Sequence, residues 1–322
     1  MQLMKAAVLT AFGGVNGFEI QEVPKPKPKP HQVLVRVHAT SLNPVDYQTR
    51  RGDYQNLVKL PAILGVDISG VIEAVGESVT TFKVGDQVYY SPQLFGESGS
   101  YTEYHVADEQ IVAHKPANLS YLEAACFPLA AGTAWDCLVT RGNLRVGESV
   151  LIHAGAGGVG SVAIQLAKAM GAYVFTTCSS QNVDFVKSLG ADQVIDYKSE
   201  DYVEIIQQQT NRTGVDLVLD TIGGDTIQQS PQVIKPFGRL VTIVDITKPQ
   251  SLLEAWGKNV TIHFVFTPQY RTKLDYLRHL IEQNQIKPVI DSVMPLSQIA
   301  QAHRHLEQGG VRGKIVLKVM ED

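Results

Sequence analysis

The apolar and polar positions divide the chain into two halves of different character. In residues 5–112 the apolar residues form short runs rich in Val, Ile, Tyr and Gly, for example at residues 32–39, 68–75 and 86–90. Turn-forming residues separate these runs. Short runs of β-branched and aromatic residues bounded by turns are typical of strands. The first half therefore predicts a β-rich, partly barrel-like domain.

From residue 149 onward, short apolar runs alternate with stretches that have helical spacing. The runs lie at residues 149–154, 172–178, 193–196, 215–220, 238–244 and 259–265. Strands that are buried on both faces and separated by helices are typical of a doubly wound parallel sheet. The second half therefore predicts an α/β domain of the Rossmann type.

The pattern changes again after residue 266. Two amphipathic helices and a final strand are predicted at residues 270–282, 296–307 and 314–319. Because the predicted parallel strands already complete a sheet, we expect this tail to return to the first domain. The predicted division is a discontinuous β-rich domain of residues 1–125 and 267–322 and a Rossmann domain of residues 126–266.

Composition and charge narrow the class of protein. The 322 residues are 44% hydrophobic and 19% charged, which is typical of packed globular domains. The net charge is −4 and the basic residues are scattered, so nucleic acid is not an expected partner. Apolar runs stay shorter than the ~18 residues of a spanning helix, and the start lacks the pattern of a signal peptide. We therefore expect a cytoplasmic protein with no membrane partner.

A glycine-rich loop follows the first apolar run of the second half. It reads Gly155-Ala156-Gly157-Gly158-Val159-Gly160 and leads into a stretch with helical spacing. Between a buried strand and a helix, such spacing predicts a dinucleotide-binding turn: Gly155 permits the tight turn, Gly157 lets the backbone approach the pyrophosphate, and Gly160 allows close packing. The start of the helix adds N–H donors and the positive end of its dipole. We expect all six residues to contact the cofactor.

The end of the next apolar run indicates which nicotinamide cofactor is used. No Asp or Glu stands at the end of this run, about 20 residues past the loop, where an NAD enzyme binds the ribose 2′-hydroxyl. Ser179, Ser180 and Asn182 can instead donate hydrogen bonds to a 2′-phosphate. Tyr197 can lie over the adenosine. The sequence therefore predicts NADPH, although Ser and Asn are also ordinary helix N-caps.

Several separated motifs carry a resemblance to a known family. They are Asn43-Pro44-Val45-Asp46-Tyr47, Gly65-Val66-Asp67, Val84-Gly85-Asp86-Gln87-Val88, Ala130-Ala131-Gly132-Thr133-Ala134-Trp135, the glycine loop, Leu189-Gly190-Ala191-Asp192 and Ile195-Asp196-Tyr197. Over essentially its whole length, the chain resembles the quinone oxidoreductase (zeta-crystallin-like) branch of the medium-chain dehydrogenase/reductases. The resemblance implies a GroES-like catalytic domain, a Rossmann domain, and a nicotinamide site in the cleft between them.

The resemblance also implies that the protein has no zinc. Zinc-dependent relatives carry a catalytic Cys where this chain has Asn43, and Gly-His-Glu where it has Gly65-Val66-Asp67. Residues 93–114, where a structural-zinc lobe would lie, contain no cysteine. His303 and His305 stand two residues apart on the last predicted helix, so they point to different faces, and we expect both to be solvated. The sequence predicts no metal site.

Without a metal, the acceptor oxygen is polarised by hydrogen-bond donors, which favours quinones, enones and enals over simple alcohols. The resemblance places Asn43 and Tyr47 on the catalytic loop, with Tyr54 close behind it. Asn43 can bind the substrate oxygen or the nicotinamide ribose, whereas the tyrosines either donate hydrogen bonds or simply pack. Asp67 is expected to hold a turn. The other implied cofactor contacts are Thr133, Ile222, Val244, Phe264, Phe266, Arg312 and Lys314.

The prediction that follows is an NADPH-dependent reductase of quinones or α,β-unsaturated carbonyls. A 2-alkenal or enone reductase, an enoyl-thioester reductase and a non-enzymatic NADPH-binding crystallin-like protein remain alternatives. The last Rossmann strand alternates apolar residues with Thr261 and His263, as expected at a sheet edge. An exposed edge can pair with its own copy across a two-fold axis, so we expect a homodimer.

Overall fold

The apolar runs of the first half form strands. These are β1 (Leu3–Leu9), β2 (Phe18–Pro24), β3 (Gln32–Ser41), β4 (Ala62–Ile63), β5 (Ile68–Val75), β6 (Gln87–Tyr90), β7 (Tyr104–Asp108) and β8 (Ala113–His114). The structure is a computed structural model that describes residues 2–96, 98–244 and 250–320. Strand β3 is buried at nearly every position because β5 pairs with it on one side and β7 on the other. Strands β1, β2 and β4 form a separate small sheet.

Three helices accompany these strands: α1 (Pro44–Arg51), α2 (Tyr121–Ala124) and α3 (Pro128–Trp135). Helix α1 begins with a proline, whose fixed φ suits the first turn, and it ends at Gly52 in the left-handed conformation. Helix α3 continues into a π-helical turn at Asp136–Arg141. A 3₁₀ turn at Val15–Gly17 joins β1 to β2.

The second half forms the predicted parallel sheet. Its strands are β9 (Ser149–Ile152), β10 (Tyr173–Cys178), β11 (Gln193–Asp196), β12 (Val215–Asp220), β13 (Ile234–Thr242) and β14 (Thr261–Phe264). Its helices are α4 (Gly158–Ala169), α5 (Val183–Ser188), α6 (Tyr202–Gln209), α7 (Asp225–Gln229) and α8 (Leu253–Gly257), with 3₁₀ turns at Ser180–Asn182 and Ser230–Val233.

The strand order of this sheet is β11-β10-β9-β12-β13-β14, and each neighbouring pair is parallel. The chain winds outward from β9 in one direction and then from β12 in the other. In such a doubly wound sheet, ligands bind outside the carboxyl ends of the strands where the order reverses. The Rossmann prediction is confirmed, and β14 lies at an edge, as the sequence predicts.

The tail consists of α9 (Arg271–Glu282), β15 (Ile290–Pro295), a 3₁₀ turn (Leu296–Gln298), α10 (Ile299–Gln308) and β16 (Lys314–Lys318). Strand β16 pairs antiparallel with β3, which brings the C-terminal strand into the sheet of the first half. Strand β15 was not predicted. Its inward positions include Ser292 while Val293 faces outward, so the strand lacks a regular apolar alternation.

The chain divides into two units, which are described separately below. The β-rich unit comprises Met1–Gly132, Pro268–Gln283 and Pro288–Asp322, and the Rossmann unit comprises Thr133–Thr267 and Asn284–Lys287. The predicted outer bounds at residues 1 and 322 lie outside the described residues. Across the described ranges, no helix is long and apolar enough to cross a membrane.

Each unit has its own apolar core. In the β-rich unit, Leu9, Leu42 and Leu317 are fully buried together. In the Rossmann unit, Leu151 and Val218 belong to the cluster between the sheet and its helices. Burial of this apolar surface, at about 25 cal/mol per Å², is the main force that stabilises the strands. These cores fix the strand ends from which the functional loops extend.

His303 corrects one sequence-based expectation. It is fully buried, although we expected a solvated helix residue. Its Nε2 lies 3.3 Å from the Tyr101 hydroxyl, and its ring packs edge-on against Phe18. His305, on another face of α10, is partly exposed and pairs with Asp291 at 2.8 Å. The two-residue spacing does separate the faces, but the face that carries His303 packs against the core.

Candidate active site

The glycine loop of the Rossmann unit joins β9 to α4. Its N-cap residue is Gly157, and α4 begins at Gly158. The first N–H groups of a helix have no acceptor within the helix, so Gly158, Val159 and Gly160 present donors at the positive end of the dipole. Ala156 is buried beneath the turn. This arrangement suits a pyrophosphate.

The glycines of this loop differ in how closely other atoms surround the position that a Cβ atom would take. A Cβ on Gly160 would lie 2.3 Å from the carbonyl oxygen of Ala154, and a Cβ on Gly155 would lie 2.1 Å from Thr176 Oγ1. A Cβ on Gly157 would meet only ordinary contact, 3.5 Å from the Ala154 oxygen. The left-handed residue of the turn is Ala154, with φ of 54°, and not Gly155 as the sequence motif implied. Gly155 therefore serves close packing, whereas Gly157 leaves space for a ligand.

The predicted 2′-phosphate donors lie at the end of β10. Ser179 and Asn182 are buried and bonded to each other, with Asn182 Nδ2 donating to Ser179 Oγ at 3.2 Å. Ser180 is exposed, and its hydroxyl donates to Asp196. This bond is the main reason that the pKa of Asp196 lies below its usual value. Tyr197 is exposed, and its N–H donates to the carbonyl oxygen of Cys178 at 3.2 Å.

Asp196 is a feature that the sequence motif missed. The sequence motif concerns the end of β10 alone. Asp196 stands at the end of the neighbouring strand, β11, where it pairs with Cys178 of β10. Strand pairing thus brings an ionised carboxylate to the very residue that was expected to bind a phosphate. The acid opposes a 2′-phosphate by like-charge repulsion.

The carboxyl ends of β12, β13 and β14 carry further predicted cofactor contacts. Buried Asp220 accepts the N–H groups of Ile222 (3.0 Å) and Gly223 (3.1 Å), which shapes the loop after β12. Val244 donates its N–H to Thr242 Oγ1 at the end of β13. Ile222, Phe264 and Phe266 are exposed at these strand ends. Their exposure leaves these side chains able to contact a ligand or a partner chain.

Thr133 is the remaining predicted contact of the Rossmann unit. It is buried, and its hydroxyl accepts a hydrogen bond from Thr267 Oγ1 at 3.1 Å. The two threonines lie at opposite ends of the unit's sequence, so the bond ties its first and last segments together. This contact gives Thr133 a structural role beside the one predicted for it.

In the β-rich unit, a buried polar cluster surrounds Asp67. One carboxylate oxygen, Oδ2, accepts hydrogen bonds from Ser41 Oγ (2.7 Å), Asn43 Nδ2 (2.6 Å) and Lys314 Nζ (3.3 Å). The other oxygen accepts the N–H of Leu129 at 2.7 Å. Lys314 Nζ also donates to Asn43 Oδ1. Asp67 therefore does more than hold a turn, because it joins Ser41, Asn43 and Lys314 in one hydrogen-bond network.

Asp46 lies next to this cluster. Its carboxylate accepts the backbone N–H of Asn43 at 2.8 Å, which fixes the start of α1. Burial raises the pKa of the Asp46 carboxyl to about 7. Burial likewise raises the pKa of Tyr101, which interacts with Asp46, well above its usual value. The catalytic loop thus contains a carboxyl group whose protonation changes near neutral pH.

The other predicted residues of this unit make their contacts with residues outside the Asp67 cluster. Tyr47 is half-buried, and the Arg51 guanidinium lies 5.1 Å from its ring centroid. Tyr54 is half-buried and packs on Phe95, with 4.9 Å between ring centroids. Arg312 is exposed, and its backbone N–H donates to Asp291 at 3.1 Å. Of the predicted residues in this unit, the network therefore joins Asn43 and Lys314.

The residues at Asn43 and Asp67 do not fit a zinc ion. Zinc needs several ligand atoms with available lone pairs. Here the Lys314 ammonium donates to both Asn43 Oδ1 and Asp67 Oδ2, so a cation already interacts with the oxygens that a metal would need. Within residues 2–96, 98–244 and 250–320, no group of His, Cys, Asp and Glu is arranged to hold a metal.

Comparison with known proteins agrees with this architecture. Residues 29–117 match the family model of the alcohol dehydrogenase GroES-like domain, and residues 189–317 match the model described as zinc-binding dehydrogenase. The human quinone oxidoreductase is 30% identical, with 98% of each chain covered. The chloroplastic NADPH-dependent alkenal/one oxidoreductase of Arabidopsis thaliana is 35% identical over 98% of this chain and 79% of that protein.

A solved structure gives the same result. The quinone oxidoreductase from Coxiella burnetii has a TM-score of 0.90 and 37% identity, covering 99% of this chain and all of that one. The two units thus define a GroES-like domain and a Rossmann domain, as predicted. The chain belongs to the medium-chain dehydrogenase/reductase family, in its quinone oxidoreductase-type branch. It is an NAD(P)H-dependent oxidoreductase.

Proposed function

We propose that this protein reduces quinones or α,β-unsaturated carbonyl compounds with NADPH and without zinc. The observation that carries the proposal is the bond network of Asn43, Asp67 and Lys314. It provides N–H donors at the place where zinc-dependent relatives hold their metal. Donors can polarise the oxygen of a conjugated acceptor, whereas alcohol oxidation benefits from a metal that lowers the pKa of the bound oxygen.

The hydrogen-bond count shows what this network can offer. Asn43 Nδ2 carries two hydrogens, and one of them is directed at Asp67. The Lys314 ammonium carries three, and two are directed at Asn43 and Asp67. Among the described residues, one amide hydrogen and one ammonium hydrogen remain, and we propose that they donate to a substrate oxygen. In a buried site, a single such donor is worth about 2.7–4 kcal/mol in the transition state.

When bound, the cofactor would supply a hydride to the carbon that conjugation has made electrophilic. We propose that the glycine loop at residues 155–160 binds its pyrophosphate and that Ser180 and Tyr197 bind its adenosine end. The Asp196 carboxylate beside Ser180 would then reduce the preference for NADPH over NADH without abolishing it. Thr133, Val244, Phe264 and the other predicted strand-end residues would hold the nicotinamide end. The reduction is completed by one proton, which the acceptor takes up after the hydride.

The test is NADPH oxidation with matched substrates. We expect turnover with a quinone such as 1,4-benzoquinone and with an enone or a 2-alkenal, and negligible NADP⁺ reduction with ethanol. Treatment with a strong chelator should leave the rate unchanged. Robust ethanol oxidation, with no conjugated acceptor reduced, would show that the proposed function is wrong.

We also propose that the protein is a homodimer. The proposal is supported by β14, which lies at the edge of the parallel sheet with Phe264 exposed. Pairing of this edge with its copy would satisfy its outward backbone groups. Sedimentation equilibrium at micromolar concentration should give a dimer mass, and a monomer throughout would contradict it.

We further propose a cytoplasmic location. Cys126, Cys137 and Cys178 are free thiols and are buried. Free thiols are typical of a reducing compartment. Fractionation of cells that express the protein should recover it with the cytosolic markers, and recovery in an organelle fraction would contradict the proposal.

A further inference from the structure

A cavity of about 560 Å³ lies within the β-rich unit, beside α1. Its walls are mostly apolar and include Val23, Val45, Val58, Ile63, Leu94 and Phe95. This volume lies in the range of small-molecule sites, which are typically about 300–1,000 Å³ and mainly apolar. Asn43, Asp67 and Lys314 do not line this cavity, so the function proposed for their network leaves the cavity unexplained.

The cavity is continuous with the catalytic loop. Asp46 lines it, and the same carboxylate accepts the N–H of Asn43. Val66 also lines it and directly precedes Asp67, while Ser91 Oγ fixes the Val66 carbonyl by donating to it at 2.7 Å. The cavity therefore lies next to the polar cluster around Asp67.

One wall is held in a strained conformation. Phe95 has a φ of 58°, in the left-handed region that a bulky side chain rarely adopts. Such a residue persists when its surroundings hold it, and such strain is concentrated at functional sites. The ring of Tyr54 packs on Phe95 and supplies that support. Tyr54 thereby acquires a role as a residue that positions the cavity wall.

We infer that this cavity receives the apolar tail of the acceptor, and that the preferred substrates are α,β-unsaturated carbonyls with a linear alkyl chain. The inference rests on the proposed function. An apolar wall favours alkyl groups because their burial removes them from water. The charged residues in the lining are Asp46 and Lys59, which have opposite signs, so the apolar majority of the wall and not a net charge favours an alkyl chain.

The experiment measures kcat/KM at saturating NADPH for a series of 2-alkenals from but-2-enal to dec-2-enal. For the unmodified protein, we expect kcat/KM to rise about two- to fourfold per added methylene until the cavity is full. In the Ala62→Phe variant, a phenyl ring enters the cavity from β4. We expect the ratio of kcat/KM for dec-2-enal over but-2-enal to fall about tenfold or more.

The matched control is Ala74→Phe. Ala74 is also a half-buried alanine on a strand of the same unit, but it stands on β5, outside the cavity lining. Its chain-length ratio should equal that of the unmodified protein. Melting temperatures of both variants check folding, and Val23→Phe, which fills the cavity from β2, replaces Ala62→Phe if that variant does not fold.

Two results would separate this inference from the proposed function. If but-2-enal is reduced but kcat/KM does not depend on chain length, the inference is wrong and the proposed function stands. An unchanged chain-length ratio in a folded cavity-filling variant also overturns the inference. If no 2-alkenal, enone or quinone is reduced at all, the proposed function itself is wrong.

Discussion

Lys314 Nζ lies 3.3 Å from Asp67 Oδ2, and both side chains are buried. A buried ion pair with good hydrogen bonds roughly balances its desolvation cost, but removal of one partner leaves an uncompensated charge. The pair is therefore vulnerable to single substitutions.

Lys314→Met should destabilise the β-rich unit by about 3–5 kcal/mol, because the carboxylate of Asp67 is left buried without its cation. The expected observation is a lower melting temperature for this unit. The double variant Lys314→Met with Asp67→Asn should recover part of the loss, since no charge remains. If the single variant melts like the unmodified protein, the pair does not exist in solution.

Two alanine substitutions in the glycine loop should have different effects. Gly157→Ala adds a methyl group with ordinary contacts, so the fold should stay intact while the KM for NADPH rises about tenfold or more, because the methyl blocks approach to the pyrophosphate. Gly160→Ala would force a Cβ to 2.3 Å from a backbone oxygen and should lower the melting temperature. Unchanged nucleotide binding in a folded Gly157→Ala protein would show that the loop does not hold the cofactor.

Asp196→Asn tests the opposing charge at the adenosine end. Loss of this carboxylate should increase the ratio of kcat/KM for NADPH over NADH several-fold, because it removes repulsion of the 2′-phosphate while Asn can still accept from Ser180. Asp201→Asn is the control, since Asp201 caps α6 and Asn caps equally well. A lower ratio in Asp196→Asn would mean that the carboxylate supports NADPH binding, contrary to our argument.

His303 should make stability depend on pH. Burial lowers the pKa of its imidazole to about 3, whereas an unfolded histidine titrates near 6.5. The unfolded state binds the proton first, so the stability present above about pH 6.5 is lost as the pH falls toward 3. Between about pH 7 and pH 5, the melting temperature of His303→Leu should fall less than that of the unmodified protein. An equal fall in His303→Leu would refute the assignment.

Much of the fold was predictable because it rests on local patterns. The parallel strands β11 and β12 have the predicted bounds, since both are short runs between clear turn residues. The glycine loop could be placed because its spacing between strand and helix is itself local. Strand β15 was missed because its inward face is partly polar, so the alternation of residues 290–295 is weak.

The functional contacts that were missed depend on tertiary structure. Asp67 and Lys314 are 247 residues apart in sequence and meet because β16 pairs with β3. Asp196 meets Ser180 through the pairing of β10 with β11. Ser180 and Asp196 are only 16 residues apart in sequence, but their contact depends on which strands are neighbours in the sheet. The chemistry of Asn43 was predicted from resemblance, but its bonding partners required the fold.

The central claim is direct transfer of hydride from the nicotinamide to a conjugated acceptor, and isotope labelling tests it most directly. An α,β-unsaturated ketone is reduced in ordinary water with NADPH that carries deuterium on one face of the nicotinamide C4, and then with the opposite stereoisomer. The account predicts that one stereoisomer places deuterium on the β-carbon of the saturated ketone, as detected by mass spectrometry and NMR. A product without deuterium from both stereoisomers, or no saturated product at all, would contradict the account.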